Sequence, residues 1–171
     1  MKNKQVFLLG AVAVIILLLI PGGAFAAGNF MNIASDFVIA HEGFVDHPYP
    51  DNSQYSWGYG TKAPGPTGNI TREQGRIEME QHLQQDYDYL SQLIFRPLNA
   101  NQWAALLDFS YNEGPGNADN LADNINNGAD GNDAALFAQM RLYNKETKNG
   151  VKVLNQNLAD RREDEIALWQ S

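Results

Sequence analysis

The chain has 171 residues, 12 Lys and Arg against 20 Asp and Glu, a formal charge of -8, and no cysteine. Disulfides, thiolate nucleophiles and cysteine metal sites are therefore excluded. So acidic a chain also lacks the cationic surplus with which nucleic acid is bound, and any polyanionic partner must be held by local hydrogen bonds and stacking.

The first 26 residues read as an export signal. Lys2 and Lys4 form a basic start, residues 6–20 are almost wholly apolar, Pro21-Gly22-Gly23 interrupts them, and Ala24-Phe25-Ala26 offers small residues where a signal peptidase cuts. The apolar run has 15 residues, short of the ~20 that a spanning helix needs. Cleavage after Ala26 is the expectation; an uncleaved weak signal-anchor that later slips out of the membrane is the alternative. Residues 27–171 then form one domain with 10 basic and 20 acidic groups.

Within that domain the periodicity predicts a short helix over residues 31–41, with Ile33, Phe37 and Ala40 on one face and Val38 beside them. Gly43 is its stop. Residues 44–49 are mixed, Asp51-Asn52-Ser53 signals a turn, and residues 55–61 read as an edge strand or hairpin arm. Pro64-Gly65-Pro66-Thr67-Gly68 is a loop. Thr71 with Gln74 fits a capping box ahead of a long helix from Arg72 to about Leu93, with Ile77, Leu83, Tyr87 and Leu90 at roughly helical spacing and Gly75 weakening its first turn. Pro97 breaks the chain, and Asn99 or Asn101 caps the most apolar helix, Gln102 to about Asn112, the expected centre of the core. Glu113-Gly114-Pro115-Gly116 ends it. One short helix is expected near residues 121–125, then a loop over 127–132 whose Asp130-Gly131-Asn132-Asp133 lacks the ligand alternation and closing Glu of a calcium loop. A helix over residues 134–142, a polar break over 143–151 and a last helix over 160–169, with Ile166 and Trp169 inward, complete the chain. The expected fold class is α+β: a small mixed lobe of about residues 31–70 carrying a β-hairpin, packed on a helical lobe of about 71–171, with a cleft between.

One stretch concentrates chemistry. Glu42 and Asp51 stand nine positions apart, followed by Ser56 and the aromatic-glycine turn Trp57-Gly58-Tyr59-Gly60. Singly, each has an ordinary role: a helix-end acid, a turn acid, a turn hydroxyl. Together they meet the needs of glycosidic cleavage, which takes a protonated acid on the leaving oxygen and a carboxylate that steers water or stabilises the sugar cation. A helix end disfavours a negative charge by roughly 0.3–1 kcal/mol. That is too little to keep Glu42 protonated near neutrality, so desolvation (Phe44, Tyr49 and Trp57 are the candidate neighbours) and Asp51 must supply the rest. Histidines are few and ill-spaced for zinc, and no nucleophile elbow or phosphate loop is present; no metal or cofactor is expected.

Glu42-Gly43, Tyr49-x-Asp51 and Ser56-x-Gly58-Tyr59-Gly60-Thr61 form the first of three ordered blocks. Asn101-Gln102-Trp103-x-Ala105-Leu106 with Phe109-x-Tyr111-Asn112-x-Gly114, and Arg161-Arg162-Glu163-x-Glu165-x-x-Leu168-Trp169, are the others. Over about residues 31–169 this resembles the phage-type lysozymes, the endolysin family that includes the T4 and lambdoid phage enzymes. The resemblance implies a lysozyme-like fold and an exported monomeric muramidase acting on the β-1,4 bond of peptidoglycan glycan strands, touching a membrane only through an uncleaved N-terminus. It places the catalytic acid on Glu42, the catalytic Asp on Asp51 and the water-positioning hydroxyl on Ser56, where the family has threonine; Thr61 is the competing hydroxyl. It implies substrate contacts for Asn112, whose alternative is a helix C-cap, and an arginine facing the acid for Arg161 or Arg162, otherwise a solvated face. Trp57 and Tyr59 are candidates for stacking on sugar, or else core. A lytic transglycosylase and a non-catalytic wall-binding domain are the competing readings.

Overall fold

The computed structural model describes residues 23–51, 53–128, 132–148 and 150–171, and of residues 23–28 the backbone alone. The expected signal lies outside these residues except for its last four, so its apolar run, like Asn52 of the first turn and residues 129–131 of the polar loop, has no structural account. No helix among the described residues is long and apolar enough to cross a membrane.

Helix α1 spans Gly23–Glu42, starting earlier than the predicted 31 because Ala24, Ala26 and Ala27 are strong helix formers. Its buried stripe is Phe30, Ala34 and Val38, an i, i+4, i+8 row; Ala40 is exposed and Ile33 and Phe37 are half-buried. That stripe packs on α3 (Ala100–Glu113), which is buried continuously from Ala104 to Ser110 and is the centre of the core. Phe30, Tyr87 and Trp103 meet at one end of this contact, with ring centroids 4.7 and 4.9 Å from Tyr87. Helix α1 therefore belongs to the helical body, and the small lobe is narrower than residues 31–70.

That lobe is an antiparallel sheet in the order β1-β2-β3, from Val45–Asp51, Gln54–Gly58 and Thr61–Lys62. The predicted edge strand is the central β2. The mixed segment is β1, confined to the edge by Pro48 and Pro50, which have no N–H for a second partner. The long helix α2 (Arg72–Leu90) starts at the expected Thr71–Gln74 capping box and ends three residues short of Leu93. It buries Met79, Leu83, Asp86 and Leu90 and leaves Ile77 49% exposed; Ile77 lies on the opposite face of the helix from that row. Gly75 is less a weakness than a contact. A Cβ on it would stand 3.3 Å from the Gly58 Cα and 3.3 Å from the Phe44 ring, so α2 docks directly on the sheet. Gly58 itself has φ 60°. Gly58→Ala is expected to destabilise by about 1–2 kcal/mol from backbone strain alone, with the clash against Gly75 adding to it; chemical denaturation gives the value, and an unchanged midpoint would show that this contact is not needed.

Asn99, not Asn101, caps α3, sharing a reciprocal pair of bonds with Gln102. Gly114 ends α3 with φ 87°, and Pro115 opens α4 (Pro115–Asp119) at once. Helix α5 (Ala122–Asn127) follows, so two short helices stand where one was expected, and then α6 (Ala134–Met140). The expected polar break is a second hairpin, β4 (Lys145–Lys148) and β5 (Val151–Leu154); its sequence signal was Asn149-Gly150 between residues that suit strands. The last helix, α7 (Gln156–Trp169), begins four residues earlier than predicted because Asn155 caps it. Its buried row, Arg161, Arg162, Glu165, Ile166 and Trp169, carries three charged groups into the core against α3.

Candidate active site

Glu42 is the last residue of α1, and Gly43, with φ 67°, turns the chain away into the sheet. The carboxylate is 24% exposed and accepts a 2.5 Å bond from Arg161 Nη1. Arg161 is 6% exposed, and its other donors go to the fully buried Asp108: Nε to Oδ2 at 2.9 Å and Nη2 to Oδ1 at 2.8 Å. Burial opposes a charge on Arg161, but the bonds and Coulomb attraction of Asp108, with Glu42 adding to both, overcome it and push its pKa up. The guanidinium thus arrives at Glu42 already matched by one carboxylate. On its other side Glu42 abuts the turn after β2. A Cβ on Gly60 would lie 3.5 Å from Glu42 Oε2 and 4.0 Å from the Tyr111 ring. The Tyr111 hydroxyl fixes this turn by donating to the Tyr59 carbonyl at 2.7 Å; burial, then the Glu42 charge, push its pKa up.

Asp51 closes β1 and Ser56 lies in β2, and the antiparallel register sets Tyr49 opposite Ser56. Asp51 and Tyr49, two apart on the strand, share the Ser56 face. Ser56 is fully buried and its Oγ donates to Asp51 Oδ2 at 2.9 Å. Burial raises the Tyr49 pKa first, and the charges of Asp51 and Glu42 raise it further. Both acids border the same three-stranded sheet, Asp51 through its Ser56 bond to β2 and Glu42 against Gly60 in the turn after β2. Thr61 is engaged elsewhere. Its Oγ1 donates to Glu78 Oε2 at 2.9 Å, as does Trp57 Nε1, also at 2.9 Å.

The remaining predicted residues divide. Trp57 is half-buried and held by Glu78. Of the two roles expected for Tyr59, sugar stacking or core, its burial fits the core: it is 5% exposed with its ring 5.2 Å from Phe44, and it packs the lobe together. Asn112 is not the C-cap of α3, which is Gly114; its Oδ1 accepts from Arg162 Nη2 at 2.9 Å. Of the two arginines, Arg161 reaches the acid. Arg162 is fully buried, stacks over Phe109 at 4.7 Å, and binds Glu113 at 3.0 Å and Glu165 at 2.5 Å. Neither faces solvent. Asp108, Glu78 and the burial of Glu165 are not among the sequence expectations; the available signal is Asp108 amid the apolar residues of α3, where a charge is tolerated only with a partner.

Glu165 is a further buried acid in a group where Glu42, Asp108 and Glu113 already outnumber two arginines. Burial pushes its carboxyl well up against the pull of Arg162, and neighbouring Asp108 adds to the rise. Above the ordinary Glu value of 4.5 the unfolded chain loses this proton while the folded chain keeps it. Stability from this residue therefore falls as pH rises from there towards the folded value, by at most ~1.4 kcal/mol per pH unit. Glu165→Gln removes that loss, so its advantage over wild type should widen with pH in urea melts between pH 4 and 8. Parallel curves would mean that Glu165 is ionised in the fold.

The family profile described as Phage lysozyme matches residues 39–165. Among solved structures, the chain is similar to an endolysin from Escherichia coli O157:H7 phage FAHEc1, at 25% identity over 80% of this chain and 90% of that one, TM-score 0.70. It is similar to a variant of P22 lysozyme at 25% identity over 81% and 95%, TM-score 0.66. The muramidase domain of SpmX from Asticaccaulis excentricus has the same fold, at 20% identity over 81% and 95%, TM-score 0.73. Compared with curated proteins by sequence, the chain matches none. With a profile match over most of its length and a lysozyme-like architecture in which sheet and helices converge on Glu42, the chain belongs to the phage lysozyme family.

Proposed function

We propose that this chain is an exported muramidase that hydrolyses the β-1,4 bond between N-acetylmuramic acid and N-acetylglucosamine in peptidoglycan, with inversion. Family membership supports lysis of peptidoglycan in general, and the relatives named as an endolysin and a lysozyme agree with it. The observation that supports the finer reading is one sheet that holds Asp51 on β2 through Ser56 and sets Gly60, in the turn after β2, against Glu42. Glu42 gives its proton to the leaving glycosidic oxygen as the bond to the anomeric carbon breaks. Asp51, oriented by the Ser56 hydroxyl, takes a proton from the water that attacks the opposite face. Arg161 receives the carboxylate that forms on Glu42, a contact that strengthens in the transition state. The N-terminal segment carries the domain across the membrane, and it acts there as a monomer without metal or cofactor.

The hydroxyl held on Asp51 favours hydrolysis over lytic transglycosylation, which needs no incoming water. Product analysis on purified peptidoglycan tests the point. Reducing-end muramic acid carrying the elements of water, released first as the inverted anomer, is the expected result. Anhydromuramic products would replace the water-steering role of Asp51, and intact glycan would reject the enzyme reading.

A further inference from the structure

The far end of α2 carries a feature that catalysis leaves unused. A groove of about 400 Å³ lies between the α2–α3 connection and the α4–α5 pair, lined by Leu93, Phe95, Asp119, Asn120, Asp123 and Asn126. Phe95 is 81% exposed, although the residue before it is buried in the core and the residue after it is paired with Asp133. Packing gives no reason for a phenylalanine there. Its backbone is nevertheless held firmly. Asn126 Oδ1 accepts from the Phe95 N–H at 2.7 Å and from the Arg96 N–H at 3.2 Å, and Asn126 Nδ2 donates to the Leu93 carbonyl at 2.9 Å. A second ring, Tyr89, is 41% exposed at the rim, its hydroxyl donating to Asp119 at 3.1 Å. Opposite, Gln139 fixes the Asn120 carbonyl at 2.8 Å.

From this we infer that the groove is a second glycan site, which holds a stretch of neutral sugar polymer while another stretch is cleaved; the inference rests on the muramidase reading above. A pyranose offers an apolar face of C–H groups and a polar edge of hydroxyls and acetamide. A pre-fixed aromatic platform beside carboxylate and amide groups matches both. Charge selects the occupant. Asp119 and Asp123, on a chain of net charge -8, repel phosphate-rich polymers and anionic lipid. The apolar part, Phe95 with Leu93, is too small for a partner helix. Tyr89 lies eleven residues beyond Glu78, the partner of Trp57, or about 16 Å along the helix axis, so the groove lies at the far end of α2 from the sheet that carries Asp51 and Ser56. Two linked contacts with one polymer raise its effective concentration at the first.

The test uses the full chain carrying Glu42→Gln, so that glycan is bound and not cut, with co-sedimentation on purified peptidoglycan sacculi. Adding Phe95→Ala should weaken binding about tenfold, Phe95→Trp should retain it, and neither should move the unfolding midpoint, since the ring is exposed. In the cleaving chain, Phe95→Ala should raise KM on sacculi and leave the rate on a short soluble glycan tetramer unchanged. Equal binding with and without the ring, while wild type still cleaves sacculi, overturns the second site alone. A wild type that neither cleaves nor binds sacculi removes the muramidase reading and the site together. A dimer in sedimentation velocity that Phe95→Ala dissolves would also overturn the proposal, since a second copy would then cover the ring.

Discussion

Glu42→Gln should remove clearing of exposed cell walls almost entirely, with kcat falling by about 10²–10⁴-fold, the usual worth of a positioned general acid. Glutamine keeps an oxygen for Arg161 Nη1 and a similar volume, so the 2.5 Å contact has a neutral replacement and the fold should persist. The missing part is the proton for the leaving oxygen. Asp51→Asn should give a loss of the same order for a different reason: the amide still accepts from Ser56 Oγ but takes no proton from water. Ser56→Ala should cost less, because it leaves the carboxylate in place and loses only its 2.9 Å orienting bond; misplacement by ~1 Å is worth up to 10²-fold. The ordering Glu42 and Asp51 severe, Ser56 partial, is the specific expectation, measured as turbidity loss with unfolding midpoints recorded alongside. Equal clearing by wild type, Glu42→Gln and Asp51→Asn would move the chemistry to other residues.

The parts of this site that the sequence makes legible are those in which chemistry is local. Glu42-Gly43 is a helix end followed by a residue suited to φ 67°. Asp51 and Ser56 lie on two strands joined by one short turn, so their hydrogen bond spans five residues. Capping boxes at Thr71 and Asn99 are likewise three-residue events. What sequence hides is tertiary. Glu42 meets Arg161 across 119 positions and Asp108 meets Arg161 across 53, and no periodicity announces which of two adjacent arginines turns towards the acid. Tyr59 is ambiguous for the same reason. An aromatic beside glycines reads as a binding platform or as core, and Phe44 covers it because α2 docks through Gly75 close enough to shut that face. The β4–β5 hairpin, by contrast, was readable from Asn149-Gly150; polarity of the flanking residues obscured it, since both strands are solvated.

The largest stability effect is expected at Asp108, a residue that touches no substrate in the proposed mechanism. It sits on α3 with no exposed surface and gives both oxygens to Arg161. Asp108→Asn leaves a buried guanidinium whose remaining contacts with acids are Glu42 at 2.5 Å and Glu165 at 3.8 Å. Breaking such a pair from one side costs about 3–5 kcal/mol, a large share of the ~5–15 kcal/mol that stabilises a domain. A second consequence follows from the same contact. With Asp108 neutral, Arg161 loses the partner that aims its Nη1 at Glu42, and misplacement by ~1 Å is worth up to 10²-fold. Activity at neutrality should therefore fall further than the folded fraction accounts for. The double variant Asp108→Leu with Arg161→Met separates the two effects. Replacing a buried pair with apolar groups of similar size is often neutral or stabilising, so the double variant should recover much of the lost stability. Its activity should stay low, because Glu42 then has no guanidinium to hold it. Equal activity per folded molecule in wild type, single and double variants would mean that Arg161 holds the fold together without positioning the acid.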